Sequence, residues 1–319
     1  MTTSHHVGVA SVWLRKGFPT KVYDHFLHHE EWNVGIVHDD ISSLLRQNSH
    51  TRIDWFPNLR KDRYLADPFG ISFQGRTYVI CEEFQYRSSK GRIVTLELDG
   101  DFLPSRLIVS LEFPFHTSYP YLFEFDGEIY CVPETAFARE VSLYRALDFP
   151  SGWRKVCTLV DEFAGTDPTV FYHKGTWWLS ATGEYGDDRF SKLFVWHAAS
   201  LFGPWSPHKL NPVKVDFRSS RPAGTPFTHD GNLFRPAQDC STAYGSRIMI
   251  NRVLSLTENE FIETEAATIS PDTAYPSGLH TVSQAGRVTF VDGRRYTCNR
   301  TAFTHAVLCA PSKFLEFLT

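Results

Sequence analysis

The sequence predicts an all-β protein, a five-bladed β-propeller, and three observations carry that prediction. The first is a repeated phrase: a polar residue, usually followed by Pro, then a short apolar strand, a Gly turn and a second aromatic-rich strand. Copies begin at Asp67-Pro68, Tyr119-Pro120, Asp167-Pro168 and Arg221-Pro222, with a degenerate fifth at Gly278-Leu279-His280. Their spacing of roughly 50 residues is in the range of propeller blades and other repeat arrays. The second observation is a further hairpin in the gaps, as at 92–98, 141–146 and 192–198, with almost no amphipathic helix; each copy thus has four strands. The third is composition. Aromatic residues make up 15% of the chain, with 26 Phe, 13 Tyr and 8 Trp against 2 Met. Flat side chains of this kind pair well across strands.

The elements follow in order. Residues 1–31 read as an N-terminal extension, and 32–319 as one propeller domain with no linker or composition break. The first 13 residues lack the apolar core of a secretory signal, and no run of about 20 apolar residues spans a membrane; a cytoplasmic location is expected. The paired histidines at 5–6 and 28–29 read as surface residues, because no second cluster stands at ligand spacing. Residues 21–30 suit a short helix or an arm, and 32–37 a strand. Asp39 or Asp40 can then cap a short helix over 41–45, its carboxylate accepting the free N–H groups of the first turn. Asp-Gly pairs at 99–100, 126–127, 230–231 and 292–293 predict hairpin turns, since Gly takes the positive φ that such turns need. The ring is expected to close by pairing 32–37 with strands around 287–290 and 295–298, which removes the exposed edges of an open sheet.

Hydrophobic residues at 42% and charged residues at 21% suffice for a sizeable core. A net charge of -4 leaves no basic field for phosphate backbones, so nucleic acid is not an expected partner. The six cysteines are scattered without a C-x-x-C pair and read as reduced; Cys81 and Cys131 fall on second strands as small core hydrophobes.

The repeat also places chemistry. The first strand of each propeller blade lines the central axis, and its start sits at one mouth. Asp67, Tyr119, Asp167, Arg221 and His280 therefore occupy equivalent stations. Neighbouring strands end near that mouth at Glu82 and Glu83, at Glu134, near Glu184, and at Gln238-Asp239. An Asp-Pro pair can be an ordinary turn, with Asp accepting backbone N–H bonds. Yet the first residue changes from Asp to Tyr, Asp, Arg and His while the frame around it stays. Glycosidic-bond chemistry needs one carboxylate acting on the anomeric carbon or a water, and one carboxylic acid protonating the leaving oxygen. Crowded carboxylates raise one another's pKa and keep such an acid protonated.

These residues resemble a known frame. Blades opening with Asp-Pro and acidic residues converging on the axis are similar to the five-bladed glycoside hydrolases that include arabinanases, xylosidases and invertases. More closely, the chain resembles the propeller at the N-terminus of glucosamine inositolphosphorylceramide transferase-like proteins. The matching stretches include Ala66-Asp67-Pro68-Phe69, Val132-Pro133-Glu134, Thr166-Asp167-Pro168, Gly203-Pro204-Trp205, Arg218-Ser219-Ser220-Arg221-Pro222-Ala223-Gly224 and Arg235-Pro236-Ala237-Gln238-Asp239-Cys240. The hydrolase likeness implies that Asp67 acts as base or nucleophile and that Asp167 orients substrate and tunes the acid. Glu134 matches the acid by position, with Glu184 as the fallback. The fourth blade departs from the pattern, with Arg221 where hydrolases commonly place another acidic residue. In the closer family the propeller accompanies a transferase domain, whose sugar-nucleotide chemistry is not carried over.

The expectation is thus a carbohydrate-active-type enzyme acting on a glycoside or sugar-like small molecule. Asp67, Glu134 and Asp167 form the catalytic set, and Tyr119, Glu83, Glu184, Arg221, Gln238, Asp239 and His280 contact the substrate. Two alternatives stay open: a cyclase, lyase or isomerase reusing the same site, and a non-catalytic glycan-binding module. No cofactor and no catalytic metal are expected; a structural Ca²⁺ on the axis would suit carboxylates and carbonyls.

Overall fold

The computed structural model describes residues 28–46, 52–57, 61–183 and 185–298. The positions His5, His6, 21–27, Glu184 and Cys309 lie outside the described residues. Strands occur in the order β1 (His28–Val37), β2 (Asp54–Trp55), β3 (Arg63–Phe73), β4 (Arg76–Gln85), β5 (Lys90–Leu98), β6 (Pro104–Leu111) and β7 (Ser118–Phe125). They continue with β8 (Glu128–Glu134), β9 (Val141–Asp148), β10 (Ser151–Val160), β11 (Gly165–His173), β12 (Thr176–Gly183), β13 (Lys192–Ala198) and β14 (Ser206–Pro207). The last are β15 (Lys214–Val215), β16 (Phe227–His229), β17 (Asn232–Asp239), β18 (Arg247–Leu256), β19 (Phe261–Ile269), β20 (Val282–Ala285) and β21 (Val288–Cys298).

These strands form five sheets. Blade one is β3-β4-β5-β6, blade two β7-β8-β9-β10, blade three β11-β12-β13-β14 with β15 on β13, and blade four β16-β17-β18-β19. Blade five is β20-β21-β1-β2, so the first long strand pairs with the last and closes the ring. The propeller unit is Trp32–Arg295; the second unit, Met1–Glu31 with Tyr296–Thr319, is described only over 28–31 and 296–298.

Local chemistry explains the hairpins. Gln74-Gly75, Asp126-Gly127, Lys174-Gly175 and Asp230-Gly231 each have positive φ at both positions, the two-residue geometry that matches the twist of paired strands. Asp99 opens a longer turn, its Oδ1 accepting the N–H groups of Asp101 and Leu103 at 3.0 and 2.9 Å. Asp40 caps a 3-10 helix over Ile41–Leu45 by accepting the Ser42 N–H at 2.8 Å. Asp292-Gly293 is different: it lies inside β21 and turns nothing. The turn into β21 instead passes through Gly286, at φ 58. Gly293 serves close packing, because a Cβ there would strike the Trp55 ring.

Aromatic rings fill the seams between blades. Phe69 meets Tyr119 and Tyr121 edge-on at 5.0 and 5.4 Å between blades one and two. Phe125 meets Trp177 at 5.1 Å between blades two and three. Trp178 points the other way, as strand alternation requires, and packs with Leu193 and Val195. Cys81 and Cys131 are fully buried, and the described cysteines at 81, 131, 157 and 240 are free thiols. No helix among the described residues is long and apolar enough to cross a membrane.

Candidate functional site

The first three blades begin with the same irregularity. Asp67, Tyr119 and Asp167 have φ of 53, 42 and 52°, and at each the strand register shifts: between Ala66 and Phe69, Ser118 and Tyr121, and Thr166 and Thr169. Such a bulge leaves one residue outside the ladder, and positive φ in a non-Gly residue is sparsely populated. The conformation frees the station residue's N–H from the sheet, and a polar side chain takes it. Asp67 N–H donates to Asp292 Oδ2 at 3.1 Å, Tyr119 N–H to Asp67 Oδ2 at 3.1 Å, and Asp167 N–H to Glu134 Oε2 at 3.0 Å.

The other two blades join by side chains. Asp167 Oδ2 accepts from Arg221 Nε and from Gln238 Nε2, both at 2.6 Å. Gln238 also donates to the Pro222 carbonyl at 2.9 Å, and Arg221 Nη1 to the Arg189 carbonyl at 3.3 Å. The guanidinium of Arg221 faces the rings of Tyr244 and Phe190 at 4.9 and 5.7 Å. Asp292 Oδ1 accepts the N–H groups of His280 and Thr281 at 2.9 and 3.0 Å. Its Oδ2 lies 2.6 Å from His280 Nδ1, and Thr281 Oγ1 donates to Asp67 Oδ1 at 2.8 Å. The His280 ring stacks on Trp32 at 3.9 Å and meets Tyr244 edge-on at 5.3 Å.

Five carboxyls (Asp67, Glu82, Glu134, Asp167 and Asp292) thus interact around one axis, all buried. Charge crowding in a dry site has a direct consequence. Burial pushes Asp67 up to about 6; His280 opposes this, while Asp167 and Asp292 add to it. Burial also holds Glu82 well above the carboxylate range, reinforced by Asp67, Glu134, Asp167 and Asp292. Glu134 is raised in the same way by burial and by Asp167, against Arg221. Burial works against the charge on His280, but Asp292 and Asp67 outweigh it and the imidazole pKa rises. Carboxyls raised by burial and crowding thus stand beside ion-paired Asp167, an arrangement of the kind that acid/base chemistry uses.

Asp67, Glu134, Asp167, Arg221, Gln238 and His280 are brought together as their stations imply. Tyr119 is present as a strut: it is fully buried, and its hydroxyl lies 2.9 Å from Thr169 Oγ1 and accepts the Gly224 N–H at 2.7 Å. Glu83 and Asp239, expected among the substrate contacts, lie outside this hydrogen-bonded cluster. Glu83 is ion-paired with Arg63 Nη1 at 2.9 Å and Arg92 Nε at 2.7 Å, on the opposite face of β4 from Glu82. Asp239 caps its own turn, accepting from Ser241 N and Oγ at 2.9 and 2.6 Å.

Three members escape sequence reading, Asp292, Tyr244 and Trp32, while Glu82 is read at the mouth only alongside Glu83. Alternation along β4 separates Glu82 from Glu83 once the register with β3 is known. Asp292 is concealed by its Gly neighbour, which imitates a turn. Asp67, His280 and Asp292 each have one ligand-type atom within 4.8 Å of the others. The donor set does not fit calcium, which takes oxygen ligands, and the imidazole nitrogen nearest Asp292 is already bonded to it.

Comparison with known proteins now bears on this geometry. The family described as "Glucosamine inositolphosphorylceramide transferase 1, N-terminal" matches residues 58–275. The chain belongs to this family. Glucosamine inositolphosphorylceramide transferase 1 of Arabidopsis thaliana is 34% identical over 208 residues, which is 63% of this chain and 27% of that protein. The Oryza sativa subsp. japonica protein of the same name is 34% identical over 206 residues, again covering 63% and 27%. The matched region is thus about a quarter of the length of these family members.

Solved structures share the fold. Zg3597, a family 117 glycoside hydrolase from Zobellia galactanivorans, aligns with TM-score 0.52 and 14% identity over 75% of this chain and 87% of its own. The α-L-arabinofuranosidase PaAbf62A from Podospora anserina, in complex with cellotriose, aligns with TM-score 0.53 and 12% identity over 76% and 93%. At such identities the likeness is one of fold. The family membership and the five-bladed architecture accord with the resemblance read from the repeat.

Proposed function

We propose that the axial site binds a glycoside or sugar-like small molecule and acts on it by carboxylate acid/base chemistry, with Asp67 as base or nucleophile and Asp167 setting the charge state of its neighbours. The observation that carries this reading is the convergence of Asp67, Glu134 and Asp167, from three different blades, with one carboxyl pushed up to about 6 and another held above the carboxylate range. A carboxylate and a neutral carboxylic acid side by side are what cleavage or transfer of a glycosidic bond requires. Tyr244 and Phe190, both half-buried, add flat apolar faces of the kind sugars stack upon, beside Arg221 and His280. The fold neighbours named as glycoside hydrolases support the same class. The reading takes nothing from the transferase activity of the plant relatives.

Asp67→Asn and Glu134→Gln are the test, assayed on disaccharides and aryl glycosides. Asp67→Asn is expected to lower turnover by at least about 100-fold, the scale of a lost acid/base group. Full activity in both variants would overturn the proposal.

One observation favours a glycan-binding module instead. Asp67, Glu134, Asp167 and Asp292 all accept hydrogen bonds that tie one blade to another, a structural duty that needs no turnover. Calorimetry against an oligosaccharide panel separates the readings: saturable binding without product in any case favours the module.

A further inference from the structure

Glu82 is held differently from the other carboxyls of the ring. The rest are engaged by backbone N–H groups or cations of neighbouring blades. Glu82 is buried, and its Oε1 has no hydrogen-bond partner. Leaving a buried polar atom unpaired is costly, and such atoms are rare in folded proteins.

The surroundings of that oxygen are built. Glu82 lies over Gly91 on the neighbouring strand. Gly91 does not have positive φ; it is small because a Cβ there would collide with Glu82 Oε1 and stand 2.7 Å from the Thr117 carbonyl. The Gly91 N–H then does a second job, donating to His116 Nδ1 at 2.9 Å. A neutral imidazole whose Nδ1 accepts must carry its proton on Nε2. That Nε2 is 3.7 Å from Glu82 Oε1. Burial lowers the His116 pKa, which favours the neutral ring, and Phe84 lies edge-on to it at 6.1 Å. The His116 side chain is 44% exposed, so it stands between the buried carboxyl and solvent.

We infer that Glu82 is the proton donor of the axial site and that His116 is the positioning residue that stabilises its ionised form. The inference rests on the glycosidic reading above and deepens it. Glu134 is tied to blade three, its Oε2 accepting the Asp167 N–H at 3.0 Å, whereas Glu82 Oε1 has no partner. In the step, Glu82 gives its proton to the departing glycosidic oxygen while the bond from that oxygen to the anomeric carbon breaks. Glu82 keeps the O–H electron pair as a carboxylate. His116 Nε2–H closes from 3.7 Å to hydrogen-bond distance of that carboxylate. The Asp67 carboxylate bonds the anomeric carbon as the leaving group departs, and the water or hydroxyl that then displaces Asp67 gives its proton to Glu82. A chain with Arg221 at its fourth station thereby retains an acid, supplied by the second strand of blade one.

Leaving-group dependence tests the assignment. Glu82→Gln is assayed on disaccharides, whose leaving oxygen needs a proton, and on 2,4-dinitrophenyl glycosides, whose leaving oxygen does not. The expected result is a loss of about 10²–10⁴-fold in kcat on disaccharides and little loss on the dinitrophenyl compounds. His116→Phe should lower kcat more than it changes KM and displace the pH profile, and added imidazole should restore part of the rate for His116→Gly. Equal losses on both substrate types, or none, would overturn the role of Glu82. An infrared arm works without any substrate: a protonated-carboxyl band present in the wild type at neutral pH should disappear in Glu82→Gln. If no such band is lost, Glu82 is ionised and cannot be the donor. Wild-type inertness toward every glycoside, with that band present, overturns the glycosidic reading while leaving the transferable proton on Glu82 established.

Discussion

Arg221 is almost wholly out of water, and its Nε reaches Asp167 at 2.6 Å. Each of the two charges depends on the other, because a buried charge stripped of its partner keeps its desolvation cost. Asp167→Asn is therefore expected to destabilise the fold by about 3–5 kcal/mol, read as a lower denaturation midpoint in urea with an unchanged slope. Glu83→Gln makes the contrasting case, since Arg63 and Arg92 are both partly exposed and can rehydrate. At this scale the sequence is legible where the repeat supplies a coordinate, as for Asp67, Asp167 and Arg221. It misleads where two signals overlap. Glu82 and Glu83 are adjacent and alike in type, and only the pairing of Ala66 with Glu82 decides which of them faces the axis. Asp292 precedes a Gly and reads as a turn, although its carboxylate accepts from three backbone N–H groups.

The elements carry their function in their first residues. A bulge at the head of β3, β7 and β11 turns one N–H out of each ladder, and backbone strain at these heads is over-determined by the bonds that receive it. Asp-Pro is therefore a structural device that ties one blade to the next, and the proposed function gives the same Asp side chains a second role. Blade four reaches the axis without a regular first strand: Pro222 bridges Ala237, and Gly224 bridges Val282 of blade five. Gly224 has φ of 111°, and a Cβ there would strike the Val282 carbonyl. Gly224→Ala combines strain with a backbone collision, so where Gly→Ala in a compatible conformation stabilises by about 0.4–1 kcal/mol, this change should destabilise by more than that amount. The expected outcome is a fall in thermal midpoint of several degrees together with lost axial binding, measured by calorimetry and circular dichroism. The hairpin turns at Asp126-Gly127 and Asp230-Gly231 are legible in their residue types, whereas this bridge is not, because it joins residues 58 positions apart with no pattern between them.

Across the whole molecule, the raised carboxyls set a pH dependence whose sign can be worked out. Asp67 titrates near 6 in the fold against an ordinary 3.8. A raised carboxyl gives its full contribution below the ordinary pKa and loses it as pH rises through the folded value. Glu82 and Glu134 shift in the same direction and extend the loss to higher pH. Glu83 and Glu263, lowered by Arg and Lys partners, run the opposite way and lose their contribution as pH falls. Stability should therefore peak on the acid side of neutrality, and Asp67→Asn should flatten the part of the decline that lies between pH 3.8 and about 6. Thermal unfolding at a series of pH values checks both statements; an unchanged slope across that window in the variant would contradict the assignment.

The position of Asp292 has a consequence for how the protein comes into being. It lies on the last strand, yet it receives the N–H of Asp67 at the head of the first blade. During synthesis, four blades can emerge and pair locally while the axial cluster still lacks one of its five carboxyls and the shelf on which His280 rests. A chain that stops short of Asp292 keeps the strands of four blades, but it lacks both the strand that pairs with β1 and the carboxylate that receives the N–H groups of Asp67, His280 and Thr281.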